Sequence, residues 1–213
     1  MTRPAKIVCV GRNYVDHAKE LGNEMPSEPL LFLKPTSSII AAGQPIRLPA
    51  VSKRVEFEGE IGVVIGNPLC DASEEEAKAA IRGVVAANDV TARDLQKSDS
   101  QWTRGKGFDT FCPVGNEIPA PAGLQGLTVV TRVNGEERQR GRVAEMAFSI
   151  PMILAYISRV MTLEPGDLVL TGTPAGVGKL VAGDEVEVEV TGSPDVQGSP
   201  TASSRVRNPV QDR

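Results

Sequence analysis

The chain has 213 residues, 40% of them hydrophobic and 23% charged, with a formal net charge of -4. That length suits one large domain with a sizeable core. The mild acidity argues against a broad attraction to nucleic acid or anionic membrane, and no segment approaches the ~20 apolar residues of a membrane helix.

The first residues run straight into a short apolar stretch with no signal-peptide pattern. Cys9, Cys70 and Cys112 are scattered and never form Cys-x-x-Cys. They read as reduced thiols with packing roles in a cytoplasmic protein.

Residues 6–10 read as a strand closed by Gly11, then a helix over 14–21 with Asn13 as N-cap and Gly22 at its end. Residues 30–33 and 38–41 read as short strands around Pro35, and 55–65 as one long strand stopped by Gly66-Asn67-Pro68. Ser73-Glu-Glu-Glu76 opens a helix through Ile81 as a capping box. Residues 84–87 form a strand running into Asn88-Asp89-Val90-Thr91, 93–98 give one or two helical turns, and 105–107 is loop. Residues 127–133 and 136–139 flank Asn134-Gly135, a pair suited to a type I′ hairpin turn. Residues 149–160, with Pro151 in the first turn, form the best amphipathic helix, and 167–171 and 185–190 complete the strands. From Gly192 to Ser204 the composition turns to Gly, Ser, Pro and Thr, which reads as a flexible loop or tail. Strands outnumber helices without regular alternation, so the expected class is α+β, mainly β.

The most informative segment is Val55-Glu-Phe-Glu-Gly-Glu60-Ile-Gly-Val-Val-Ile65. Side chains alternate along a strand, so Glu56, Glu58 and Glu60 share one face, about 7 Å apart. Such a row repels itself unless water or a cation compensates it. One reading is an edge strand with a solvated acidic face. The other follows from the continuation: both faces become apolar after Glu60, so the acids stand at the mouth of a buried strand. Hard carboxylate oxygens there favour Mg²⁺, Mn²⁺ or Ca²⁺. Asp89, ending the apolar run 84–87, reads either as a third ligand or as a turn-former.

His17 is the single histidine, and Glu20 lies three residues on, on the same helix face. The pair reads either as an oriented general base or as a surface ion pair. Lys106, between two glycines, is placed either to meet an anionic substrate group or to sit in a solvated loop. The segment Gly172 to Lys179 is no P-loop, having five intervening residues and Leu180 where Ser or Thr is needed.

Several words in order resemble the fumarylacetoacetate hydrolase family. They are Gly11-Arg-Asn-Tyr-Val-Asp-His17-Ala-Lys-Glu20, Leu31-Phe-Leu-Lys-Pro35, Glu56-Phe-Glu58-Gly-Glu60, Asn88-Asp89-Val-Thr-Ala-Arg93-Asp94-Leu-Gln96, Lys106-Gly-Phe108, Phe148-Ser-Ile-Pro151 and Leu170-Thr-Gly-Thr173-Pro. The likeness spans residues 6–191. It implies a mixed β-sandwich roll, a homodimer, and one Mg²⁺ or Mn²⁺ per subunit held by Glu58, Glu60 and Asp89. It further implies Glu56 as an adjacent acid, His17 and Glu20 as a water-activating dyad on a segment that behaves as a lid, Lys106 at the enolate, and Arg93, Gln96 and Thr173 lining a substrate pocket. The domain would then be residues 1–191, with 192–213 a loop and tail.

The expected chemistry is hydrolysis of an acylpyruvate, a 2,4-dioxo acid, to pyruvate and a second acid. The same chelate supports oxaloacetate decarboxylation or tautomerisation, or isomerisation of a 2-hydroxyhepta-2,4-dienedioate. A metal-binding module without turnover is the non-enzyme alternative, and a complete His17, Glu20 and Lys106 set speaks against it.

Overall fold

Apolar alternation organises the chain into strands that sandwich their side chains between two large sheets. The computed structural model describes residues 3–20, 22, 24–121, 123–192 and 202–213. In chain order the first strands are β1 (Ile7–Gly11), β2 (Leu30–Lys34), β3 (Ile39–Ile40), β4 (Ile46–Leu48), β5 (Val55–Phe57), β6 (Gly59–Ile65), β7 (Ile81–Asn88) and β8 (Thr91–Ala92). There follow β9 (Cys112–Pro113), β10 (Ile118–Pro119), β11 (Thr128–Val133), β12 (Glu136–Arg142), β13 (Leu168–Leu170), β14 (Gly178–Lys179), β15 (Glu185–Thr191) and β16 (Ser203–Asp212). The helices are α1 (Val15–Glu20), α2 (Glu74–Ala79), α3 (Arg93–Ser98), α4 (Thr103–Lys106) and α5 (Ile150–Val160). The class is α+β, mainly β.

One sheet runs β10-β7-β6-β13-β1-β2 and the other β12-β11-β15-β16-β4, with smaller β14-β5-β8 and β3-β9 sheets beside them. Pairing is antiparallel except for β1 with β13, β16 with β4, and β3 with β9. The main core joins Ile61, Val63 and Ile65 of β6 to Val188 and Val190 of β15, Val206 of β16 and Ile153, Leu154 and Ile157 of α5. Val64 of β6 points the other way, packing with Ile7, Cys9, Val85 and Leu168. Burying each such aliphatic side chain contributes roughly 1.5–3 kcal/mol, so the centre of the molecule is held by these two faces of one sheet.

Local chemistry explains most boundaries. Ser73 caps α2 through the reciprocal Ser73–Glu76 box, and Ser149 caps α5 ahead of Pro151. Asn134 and Gly135 both take positive φ (53° and 82°), as the tight β11–β12 turn requires.

Five expectations are corrected. The stretch 55–65 is two strands rather than one, broken at Glu58, and β6 is central between β13 and β7 rather than an edge. The helix from Ser73 ends at Ala79, because Ile81 already opens β7. Gly105 and Lys106 of the expected loop 105–107 end a helix that begins at Thr103. Asn13 does not cap α1: its amide donates to the Phe148 and Thr171 carbonyls and accepts from Phe148 N–H. The chain does not end in a tail, since Ser203–Asp212 is a ten-residue strand zipped between β15 and β4. Residues 193–201 of the Gly/Ser/Pro segment lie outside the described residues. Of the thiols, Cys9 and Cys112 pack in the core as expected, whereas Cys70 is exposed.

Candidate active site

The register of β6 against β7 gathers the acids. Gly59 lies opposite Asn88 and Glu60 opposite Ala87, so the start of one strand and the end of the other share one sheet end. Asp89 N–H donates to the Glu58 carbonyl at 2.8 Å, and the Asn88 side chain accepts from Glu58 N–H at 2.9 Å. Gly59 allows the close pass, since a Cβ there would stand 1.8 Å from the Thr131 hydroxyl. Glu58, Glu60 and Asp89 are all buried, and one oxygen from each lies within 4.8 Å of the others.

Buried cations surround them. Lys106 Nζ donates to Glu58 Oε2 at 2.8 Å and Asp89 Oδ2 at 2.5 Å. Lys34 Nζ donates to Asp89 Oδ1 at 2.6 Å, to the Lys106 carbonyl at 2.5 Å and to the Val90 carbonyl at 3.2 Å. Arg93 reaches Glu56 Oε2 through Nε at 2.7 Å, Gln96 Oε1 through Nη1 at 2.6 Å, and Glu58 Oε1 through Nη2. Arg54, at the exposed end, pairs with the other Glu56 oxygen. The result is one chain of alternating charge from Glu56 to Lys34.

Each charge state follows from these contacts. Burial alone would raise the Glu58 carboxyl, but Lys106 and Arg93 outweigh it and hold it well below the usual carboxylate range. Burial likewise opposes the charged forms of Lys106 and Arg93, and their carboxylate partners overcome it, so both pKa values rise. Glu60 differs. Among the described residues it accepts only the Gly172 N–H, at 2.7 Å. Burial, then Asp89, then Glu58 push its pKa well above normal.

A divalent metal fits that arrangement. The under-compensated charge sits on Glu60, facing Glu58 and Asp89, and the donors are all carboxylate oxygens, which suit a hard cation. Glu58, Glu60 and Asp89 would hold the ion, each through one carboxylate oxygen, since those oxygens already converge.

The triad forms the floor of a cleft lined also by His17, Arg93, Gln96, Lys106 and Thr173. The structure therefore brings to this cleft every predicted metal, catalytic and substrate-pocket residue except Glu20, which pairs with His17, while the adjacent acid Glu56 lies outside the lining, held by Arg93. His17 Nδ1 is 3.4 Å from Glu20 Oε2, and the Gly176 N–H donates to both Glu20 oxygens at 3.2 Å, tying α1 to the loop after β13. Thr173 is committed to the protein, donating to the Gly59 carbonyl and accepting from Gln139. Three of the five Arg93 N–H groups are similarly engaged, while among the described residues the Gln96 side-chain NH₂ has no partner.

Sequence reasoning missed Lys34, whose only signal was a lysine ending the otherwise apolar strand 30–34. It also missed Phe32 and Trp102, which meet edge-to-face at 5.2 Å on one wall. The Lys106 ammonium lies 5.0 Å above the Phe32 ring.

Comparison with known proteins is consistent with this geometry. The model for Fumarylacetoacetate (FAA) hydrolase C-terminal matches residues 6–207. The Escherichia coli oxaloacetate tautomerase YcgM is 43% identical over 195 residues, covering 88% of this chain and 89% of its own. The mitochondrial oxaloacetate decarboxylase of Dictyostelium discoideum is 46% identical over 194 residues, with 88% and 89% covered. The crystal structure of a 2-hydroxyhepta-2,4-diene-1,7-dioate isomerase from Mycobacterium marinum superposes with a TM-score of 0.86 at 44% identity, over 99% of this chain and 76% of that one.

Proposed function

The chain belongs to the fumarylacetoacetate hydrolase family, and on that premise we propose that it is a divalent-metal-dependent enzyme moving a proton at C3 of a small 2-oxo acid. It would act as a tautomerase or isomerase, or release carbon dioxide where C3 carries a carboxylate. The observation that carries this reading is the buried Glu58–Glu60–Asp89 triad in a cleft that Lys106 and His17 also line. The activities for which the relatives are named support the chemistry, because tautomerisation, decarboxylation and dienedioate isomerisation share an enolate next to a carboxylate.

A dication held by the triad supplies Lewis-acid polarisation of the 2-oxo group and charge for the neighbouring carboxylate. Lys106 donates to the developing enolate oxygen, a contribution of about 3 kcal/mol per well-placed donor. Gln96 orients the acid through its free amide. His17 takes the proton from C3 and returns it, with Glu20 fixing the ring through Nδ1. Arg93 keeps Glu58 ionised and in place. The expected homodimer belongs to the same proposal.

Acylpyruvate hydrolysis is the second reading. The His17–Glu20 pair favours it, because an oriented imidazole also activates water. Assay with Mg²⁺ or Mn²⁺ on oxaloacetate, a 2-hydroxyheptadienedioate and acetylpyruvate separates the two. We expect turnover of the first or second substrate, and His17→Ala to cost about 100-fold or more in kcat with metal affinity unchanged. Faster turnover of acetylpyruvate would favour hydrolysis, and full activity in the variant would remove His17 as the base.

A further inference from the structure

Arg12 has no role in the chemistry above, yet it occupies a costly conformation. It follows Gly11 at the end of β1 with φ 59°, the left-handed region that a long side chain rarely adopts. Such strain persists where the surroundings over-determine the backbone, and it concentrates at functional sites. Here Asn13 does the fixing. It is fully buried, with hydrogen bonds to Thr171 O at 2.9 Å, Phe148 O at 3.1 Å and Phe148 N at 2.8 Å. Relaxing Arg12 would pull Asn13 from those partners.

The half-buried Arg12 is thereby held on the lining of the cleft that ends at the carboxylate triad, and Lys97 of α3 lines the same cleft. Among the described residues, neither side chain has an ion-pair or hydrogen-bond partner. By contrast Arg82, Arg104, Arg140 and Arg142 each pair with a nearby carboxylate.

Charge balance says what these two cations are for. Glu56, Glu58, Glu60 and Asp89 face three buried cations, Lys34, Arg93 and Lys106. Among these buried groups a bound dication leaves a single positive excess, which one substrate carboxylate neutralises; Arg54, paired with Glu56 at the exposed end, stands outside them. Arg12 and Lys97 add positive charge beyond that, available to a second anionic group. Phe32 and Trp102 offer an apolar wall to the carbons between, and the missing side chain of Gly11 lets the Trp102 ring close against β1, since a Cβ there would stand 2.9 Å from it.

We propose that Arg12, assisted by Lys97, binds the distal carboxylate of a dicarboxylic 2-oxo acid, so that the site selects diacids over monoacids. The inference rests on the metal-chelate reading of the triad.

L-malate and L-lactate test it, because both carry a carboxylate–oxygen chelating head, neither has a 2-oxo group to enolise, and only malate has the second carboxylate. Calorimetric titration of each into the Mn²⁺-loaded protein should show malate binding more tightly. Arg12→Met and Arg12→Gly should each weaken malate about tenfold or more and leave lactate within about twofold. Glycine takes the local φ without strain, so the second variant keeps the backbone in place. Lys97→Met should lower malate affinity by a smaller factor, since its charge is more solvated. Equal wild-type affinities, or equal losses of both ligands in the Arg12 variants, would overturn the assignment while leaving the chelate intact. Metal-independent or absent binding of both ligands would instead bring down the chelate reading, and this inference with it.

Discussion

Among the described residues both oxygens of Glu56, Glu58 and Asp89 answer to a cation, while Glu60 has only a backbone N–H. Lys34 is the least obvious member of this network and, with its side chain wholly buried, one of the most constrained. Removing one partner of a buried pair leaves the other uncompensated, at a cost of about 3–5 kcal/mol. Lys34→Met should therefore lower the unfolding free energy of the metal-free protein by ~3 kcal/mol, read from urea denaturation. Lys34→Arg should not rescue it, because a planar fork cannot replace a compact ammonium among three oxygens. An unchanged midpoint would show that those bonds contribute nothing net. The acids were legible in the sequence because strand alternation and strand ends are local patterns. Lys34 was not, because its partner Asp89 is 55 residues away, just past the end of a strand that β2 does not pair with. Arg12 was hidden for another reason: its signal is a backbone angle, which no residue identity announces.

At the scale of elements, the break at Glu58 matters more than the strand it interrupts. An unbroken strand would point the three glutamates the same way; the break gives Glu56 to Arg93 and Arg54, and leaves Glu58 and Glu60 to converge on Asp89. The acids and the apolar run could be read from the sequence, but the break at Glu58, and the close pass of Gly59 by Thr131 of the opposite sheet beside it, could not. Helix α3, which carries Arg93, is anchored at its start by Asp94, which accepts from the Ser52 hydroxyl at 2.6 Å and the Lys53 N–H at 2.8 Å. Burial is the largest single influence and opposes ionisation, but these hydrogen bonds together outweigh it and lower the Asp94 pKa. A lowered folded-state pKa stabilises above the unfolded value of about 3.9 and loses that contribution as pH falls through the folded value. Asp94→Asn should thus cost about 1 kcal/mol near neutral pH, discounted for partial exposure, and progressively less toward pH ~3. Equal costs at both ends would mean that the charge is irrelevant to the anchor.

Across the whole molecule, the chain's end closes the five-stranded sheet. β16 pairs with β15 along seven residues and with β4 along three, and Val206 enters the main core. Deleting residues 203–213 exposes a long strand edge and opens that core, so the truncated chain should lose its cooperative thermal transition; a sharp melt like that of the full chain would contradict this. The Gly/Ser/Pro composition just before β16 led sequence reasoning to a tail, because its run of turn formers outweighed the alternation in Arg205-Val-Arg-Asn-Pro-Val210 that marks a strand. The mainly β class, by contrast, was legible from the many short apolar runs.

All of this chemistry depends on whether the convergent acids hold a dication. Isothermal titration of Mn²⁺ into chelator-treated protein tests that most directly. The account predicts one saturable site per chain, abolished by Asp89→Asn and accompanied in the wild type by a raised melting temperature. Absence of saturable binding at millimolar Mn²⁺ and Mg²⁺, or binding untouched by Asp89→Asn, would contradict it.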